Sequence, residues 1–193
     1  MTKLYWTLLI TLLTTTSSFG QKNSKEELPD TSSNTKIEKL LRETSIIKKV
    51  EFVEVEKVKV LEFQIIIITN LKTNLKTKGL YLSNQSGTNY WSGVVKGERH
   101  AYLDESEIDE LILFLENSDG KWKNDKPVYQ TQYVFETLDN LRVMFWTPKN
   151  SKSWKFDIKF SNYIYDNTET LGKSKSDEFL DALRQVKSEI KNH

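Results

Sequence analysis

The sequence predicts an α+β domain: an antiparallel sheet of about seven strands with two amphipathic helices on one face. Three observations carry this. Segments rich in β-branched and aromatic residues recur along the chain, among them residues 58–69 with Ile65, Ile66, Ile67 and Ile68 in succession. Two other stretches, near 104–116 and 174–190, repeat apolar residues every three or four positions, the spacing of a one-sided helix. The strands fall into two runs, each closed by one of those helices, which suits helices layered on a sheet better than alternating βαβ units.

The chain opens with Lys3, an apolar run over residues 4–13, and a small polar stretch ending Ser18-Phe19-Gly20. This is the pattern of a cleavable signal peptide over residues 1–20, and the run is too short to span a bilayer. The expected address is therefore secreted or periplasmic, with no transmembrane segment in the mature chain. Cysteine is absent, so a lipid-modified cysteine, and with it a lipoprotein, is excluded. Residues 21–34 are polar, hold Pro29 and offer only Leu28 as an apolar group, which predicts a flexible leader. Residues 35–193 are long enough for a single domain with a substantial core.

Ile37, Leu40 and Leu41 sit at i, i+3 and i+4 and predict a short helix over 35–43. Strands are predicted over 46–55 and 58–69. The apolar run at 65–68 suits a central strand covered on both faces. Residues 70–78 read as a turn and 79–82 as a strand. Residues 90–95 and 99–103 read as a hairpin around Lys96-Gly97. Asp104 followed by Glu107 has the spacing of a capping box. Ile108, Leu111, Ile112 and Leu115 then form the apolar stripe of a helix that Ser118-Asp119-Gly120 is expected to end. Strands follow over 128–136, 141–147 and 154–160. In the last, Trp154, Phe156, Ile158 and Phe160 alternate with Lys155, Asp157 and Lys159. A short extension at 163–165 is expected. Phe179, Leu183, Val186 and Ile190 mark the closing helix. The halves 44–118 and 126–193 share this order with weak residue identity, leaving open whether a unit of meander plus helix has been duplicated.

The stretch AYLDESEIDELILFLEN resembles a group of small exported bacterial proteins of unknown function, with the motif at 102–116. That resemblance implies no activity. The repeated order of four strands and a helix is similar, in topology alone, to the Pur-alpha and Whirly single-strand-binding folds.

Composition narrows the chemistry. Lys and Arg number 28 against 27 Asp and Glu, and the expected signal peptide carries one of the lysines, Lys3. This near-neutral balance disfavours nucleic acid, whose binders draw affinity from a basic excess. Without cysteine there is no thiol catalysis and no thiolate metal site. His100 stands alone and His193 is terminal, so no metal set, no cofactor site and no catalytic triad is predicted. The acids at 104–110 open a helix, where they complement its dipole, rather than lining a calcium loop. No phosphate-binding glycine loop occurs.

Aromatic placement is the remaining signal. In the strand over 141–147, Leu141, Val143 and Phe145 share one face and Arg142, Met144 and Trp146 the other. If the leucine face is the core, Arg142, Met144 and Trp146 form a candidate binding surface on the open side of the sheet. The favoured reading is a non-catalytic exported domain that binds an unknown protein or small ligand through its sheet. Two alternatives stand beside it: a hydrolase built on dispersed carboxylates, and single-strand nucleic-acid binding by aromatic stacking.

Overall fold

A computed structural model describes residues 35–84, 99–122, 125–149, 151, 153–160, 168–172 and 174–193, with backbone alone for 118–122. The expected signal peptide and leader, the 90–95 arm of the hairpin and the extension at 163–165 lie outside the described residues.

The element order is α1 (Lys36–Arg42), β1 (Lys48–Val58), β2 (Leu61–Asn70), β3 (Lys76–Asn84), β4 (Arg99–Asp104), α2 (Glu105–Trp122), β5 (Thr131–Glu136), β6 (Leu141–Thr147), β7 (Lys155–Phe160), β8 (Thr168–Thr170) and α3 (Lys175–Asn192). After α1 the order is four strands and a helix, twice. The fold is α+β and its pairing wholly antiparallel, as expected. The single sheet is not. The strands form two four-stranded sheets, ordered β1-β2-β3-β4 and β5-β6-β7-β8. The first sheet ends at β4. Its chain runs straight into α2, and the Tyr102 N–H on its free edge donates to the Asp139 carboxylate at 2.8 Å instead of to another strand. Two smaller differences accompany this: α2 continues past Ser118-Asp119-Gly120 to Trp122, and β8 is a strand the sequence did not announce.

One apolar cluster joins both sheets to both long helices. Leu61, Phe63, Ile65 and Ile67 of β2 enter it, with Leu80 and Leu82 of β3, Val143 and Phe145 of β6, and Phe156, Ile158 and Phe160 of β7. The helices cross between the halves. Phe179 of α3 meets Phe63 of the first sheet at 5.2 Å and Phe156 of the second at 5.7 Å, both edge-on. Phe114 of α2 packs on Phe135 and Phe145 of the second sheet. Leu111, Leu115, Leu183 and Val186 are buried, as their stripes predict. Salt bridges Arg184–Glu116 and Lys187–Asp109 tie the two helices together at the surface.

β2 is covered on both faces, as its isoleucine run predicts. Ile66 and Ile68 point away from the main core and form a second cluster with Ile37 of α1. Gly79 of β3 permits this approach, since a Cβ there would overlap Ile37 Cδ1 and the Leu103 carbonyl oxygen. α1 thus roofs the part of the outer face of the first sheet around Ile66 and Ile68, and Tyr81 and Tyr102 pack against the same cluster.

Candidate functional site

Strand parity sets what this outer face presents beyond the isoleucines. Phe52 of β1, Gln64 of β2, Tyr81 and Ser83 of β3, and His100 and Tyr102 of β4 alternate with core residues and share the outer face. The antiparallel register lays Tyr102 beside Tyr81, and His100 beside Ser83. Four rings then form a continuous strip. Centroids are 5.2 Å apart for Phe52–Tyr81, 5.4 Å for Tyr81–His100 and for Tyr81–Tyr102, and 5.3 Å for His100–Tyr102. Phe52, at the open end, is 50% exposed. Neighbouring planes are tilted by 32° to 70°, so the strip is an uneven apolar surface rather than a flat stack.

The electrostatics of this face are neutral to acidic. Among the described residues its two lysines are engaged: Lys48 donates to the carbonyls of Leu40 in α1 and Glu43 just after it, and Lys57 pairs with Glu62 at 2.8 Å. A β-bulge between Glu54 and Glu56 opens a depression of about 470 Å³ at the end of the strip, lined in part by Glu54, Glu56, Glu62 and Gln64. Glu38 of α1 borders the other side. Burial holds its carboxyl above the usual glutamate range, helped by the Asp139 charge and opposed by Arg42. Among the described residues no three His, Asp or Glu side chains gather as a metal site.

Glu107 is the other carboxyl raised by burial. It has a structural task. One oxygen accepts the Asp104 N–H at 3.0 Å, as the capping box predicts, and the other accepts the Leu138 N–H at 2.7 Å. Neither Glu38 nor Glu107 lines the depression beside the strip, or a second one of about 450 Å³ at the start of α2. The paired acids in a pocket that a hydrolase requires are not assembled from these two groups.

Arg142, Met144 and Trp146 fall on the outer face of the second sheet, as parity places them, while Leu141, Val143 and Phe145 are core. Each has a local partner. Arg142 pairs with Glu136 across the strands at 3.0 Å, and Met144 is half-buried between Val134 and Asp157. Trp146 donates its indole N–H to Asp157 at 2.5 Å, with the Lys155 ammonium 4.6 Å from its ring centroid. Asp157 was expected on an exposed face, yet it is 4% exposed. The indole of Trp146 lies against it.

The sequence reading missed the strip of Phe52, Tyr81, His100 and Tyr102. Each residue sits singly in its own strand, and only the register of three pairings brings them together. No protein-family model matches the chain, and no curated protein matches it in sequence.

Proposed function

We propose that this chain is an exported, non-catalytic binding domain that engages a protein partner across the outer face of its first sheet. The observation that carries the reading is the ring strip from Phe52 to Tyr102, which packs at one end on the α1 cluster and at the other presents the half-exposed Phe52 near a carboxylate-rimmed depression. Apolar aromatic surface of this kind is costly to leave in water and is enriched at the centres of protein contacts. Export rests on Lys3, the apolar run and the Ser18-Phe19-Gly20 ending. The repeated order of four strands and a helix supports reading the halves as one duplicated unit, and keeps the likeness to the small exported proteins and to Pur-alpha and Whirly topologies within this proposal.

Single-strand nucleic-acid binding is the weaker reading. Consecutive bases stack on accessible flat rings beside a basic groove. Here the rings tilt against one another, and Lys48 and Lys57 are already paired.

A photo-crosslinking side chain at position 52, introduced in the native host, tests the proposal. The expected result is one protein adduct in the extracytoplasmic fraction, lost when Tyr81→Ala or Tyr102→Ala is added. The same adduct from a probe at the exposed Leu113 of α2, or adducts to nucleic acid, would overturn it.

A further inference from the structure

The four outer strands of the two sheets are not equally protected. A strand edge exposes unpaired N–H and C=O groups, and folded proteins blunt such edges with charge, bulges, brevity or a covering group. β1 carries Lys48, Lys49, Glu51, Glu54, Glu56 and Lys57 and is bulged between Glu54 and Glu56. The Tyr102 N–H on the edge of β4 is taken by Asp139. β8 has three residues. Among the described residues β5 is the least defended: its one charge is Glu136 at its end, its pairing with β6 is regular, and it holds no lysine or proline.

Exposed apolar groups gather along the same edge. Val134 is 45% exposed in mid-strand, with Val128 and Tyr129 before β5 and Leu138 after it. We propose that β5 is a strand-addition edge and that its occupant is β5 of a second copy, pairing antiparallel about a two-fold axis to join two four-stranded sheets into one of eight.

Self-complementarity argues for a second copy. A two-fold axis normal to the sheet keeps outward side chains outward, so only residues of like parity can oppose one another. With the axis at Val134, Val134 meets its own counterpart, and Gln132 meets the partner copy's Glu136 position. The amide can donate to that carboxylate twice per dimer, and no like charges face each other. On the inward face Tyr133 and Phe135 alternate across the junction, an aromatic pair of the kind that stabilises neighbouring strands. The same register lays Val128 and Tyr129 along the partner's turn at 137–140, where Leu138 is exposed. One symmetry operation thus covers the four apolar groups that the monomer leaves in water.

Sedimentation equilibrium of the purified chain from about 1 μM to about 1 mM spans the range expected of a modest interface. The expected result is a reversible monomer–dimer equilibrium. Val134→Lys should shift it at least tenfold toward monomer. Gln132→Glu, which sets two carboxylates opposite each other, should weaken it several-fold, and Gln132→Lys should tighten it several-fold. Hydrogen exchange on the unsubstituted chain supplies a check independent of any variant: amides of 131–136 should gain protection as concentration rises. A chain that stays monomeric to 1 mM would overturn the proposal. So would a dimer indifferent to all three substitutions, or protection gained elsewhere than at β5.

Discussion

The carboxylate of Glu107 accepts the backbone N–H of Asp104 at 3.0 Å, while Asp104 turns its own carboxylate to another helix. It accepts the N–H groups of Lys36 at 3.0 Å and Ile37 at 3.4 Å, the unsatisfied first donors of α1. Thr35 caps the same end by accepting the Glu38 N–H at 3.2 Å. The start of α2 therefore anchors the start of α1 across a gap of more than sixty residues.

Asp104→Ala should cost about 1–3 kcal/mol, because it leaves two N–H groups without their acceptor. A seven-residue helix has little stability of its own to absorb the loss. Urea midpoints give the cost, and hydrogen exchange at Lys36 and Ile37 gives its location. A change within about 0.5 kcal/mol would mean that the Ile37 contacts alone hold α1.

Gly79→Ala tests the same docking from the sheet side. Its Cβ would overlap Ile37 Cδ1, a flexible tip, and the Leu103 carbonyl oxygen, which is backbone and cannot retreat. Overpacking of this kind costs about 1–3 kcal/mol. Pairing it with Ile37→Ala should recover little, since the carbonyl overlap remains.

Trp146→Phe keeps most of the ring and removes the indole donor. The buried Asp157 would then lose its one hydrogen bond from Trp146, with its Oδ1 already unpartnered. A loss of about 1–3 kcal/mol is expected. Asp157→Asn should be neutral or stabilising, because it retains an acceptor for the indole and removes a charge from a desolvated site. The two variants, compared by urea melts, separate the hydrogen bond from the charge.

Phe179→Ala should be among the most damaging core changes, at about 3–5 kcal/mol. The ring is fully buried and contacts Phe63 and Phe156, so its loss opens space between the two sheets. Leu183→Ala on the same stripe should cost about 2–5 kcal/mol.

Glu38 predicts a pH dependence. Its carboxyl sits above 4.5 in the folded chain, chiefly because it is buried. Between 4.5 and that raised value the folded state holds more protons than the unfolded state, so stability falls as pH rises through the window. Glu38→Gln removes this contribution. The variant should gain on the parent chain as pH rises from 4.5 toward 7, and the gap in urea midpoint should close on return to 4.5. Arg42, the other member of the lost ion pair, has a side chain 60% exposed, so solvent screens the pairing and its loss offsets little.

Local elements were legible because their signals are local. Period-two alternation found β6 to the residue, period-three-and-four spacing found α2 and α3, and Asp104 with Glu107 marked a real capping box. The chain's own pattern also required β2 to be covered twice, since Ile65 to Ile68 leave no polar face. Placing Arg142, Met144 and Trp146 opposite the core needed only strand parity.

What tertiary structure decided depends on which distant residues meet. The division into two sheets is a matter of pairing, and where the first sheet ends the edge of β4 meets Asp139, a contact between a turn and a strand 37 positions apart. The ring strip depends on the register of β1, β2, β3 and β4, which no single segment encodes. Asp157 alternates with the core residues of its strand and is nonetheless buried, with Trp146 of the neighbouring strand hydrogen-bonded to it. The sequence by itself determined the elements and their buried faces, because hydrophobic periodicity is a property of consecutive residues. Partnering, edge protection and the composition of the open faces were decided by the fold, because each sums side chains that only pairing brings within reach.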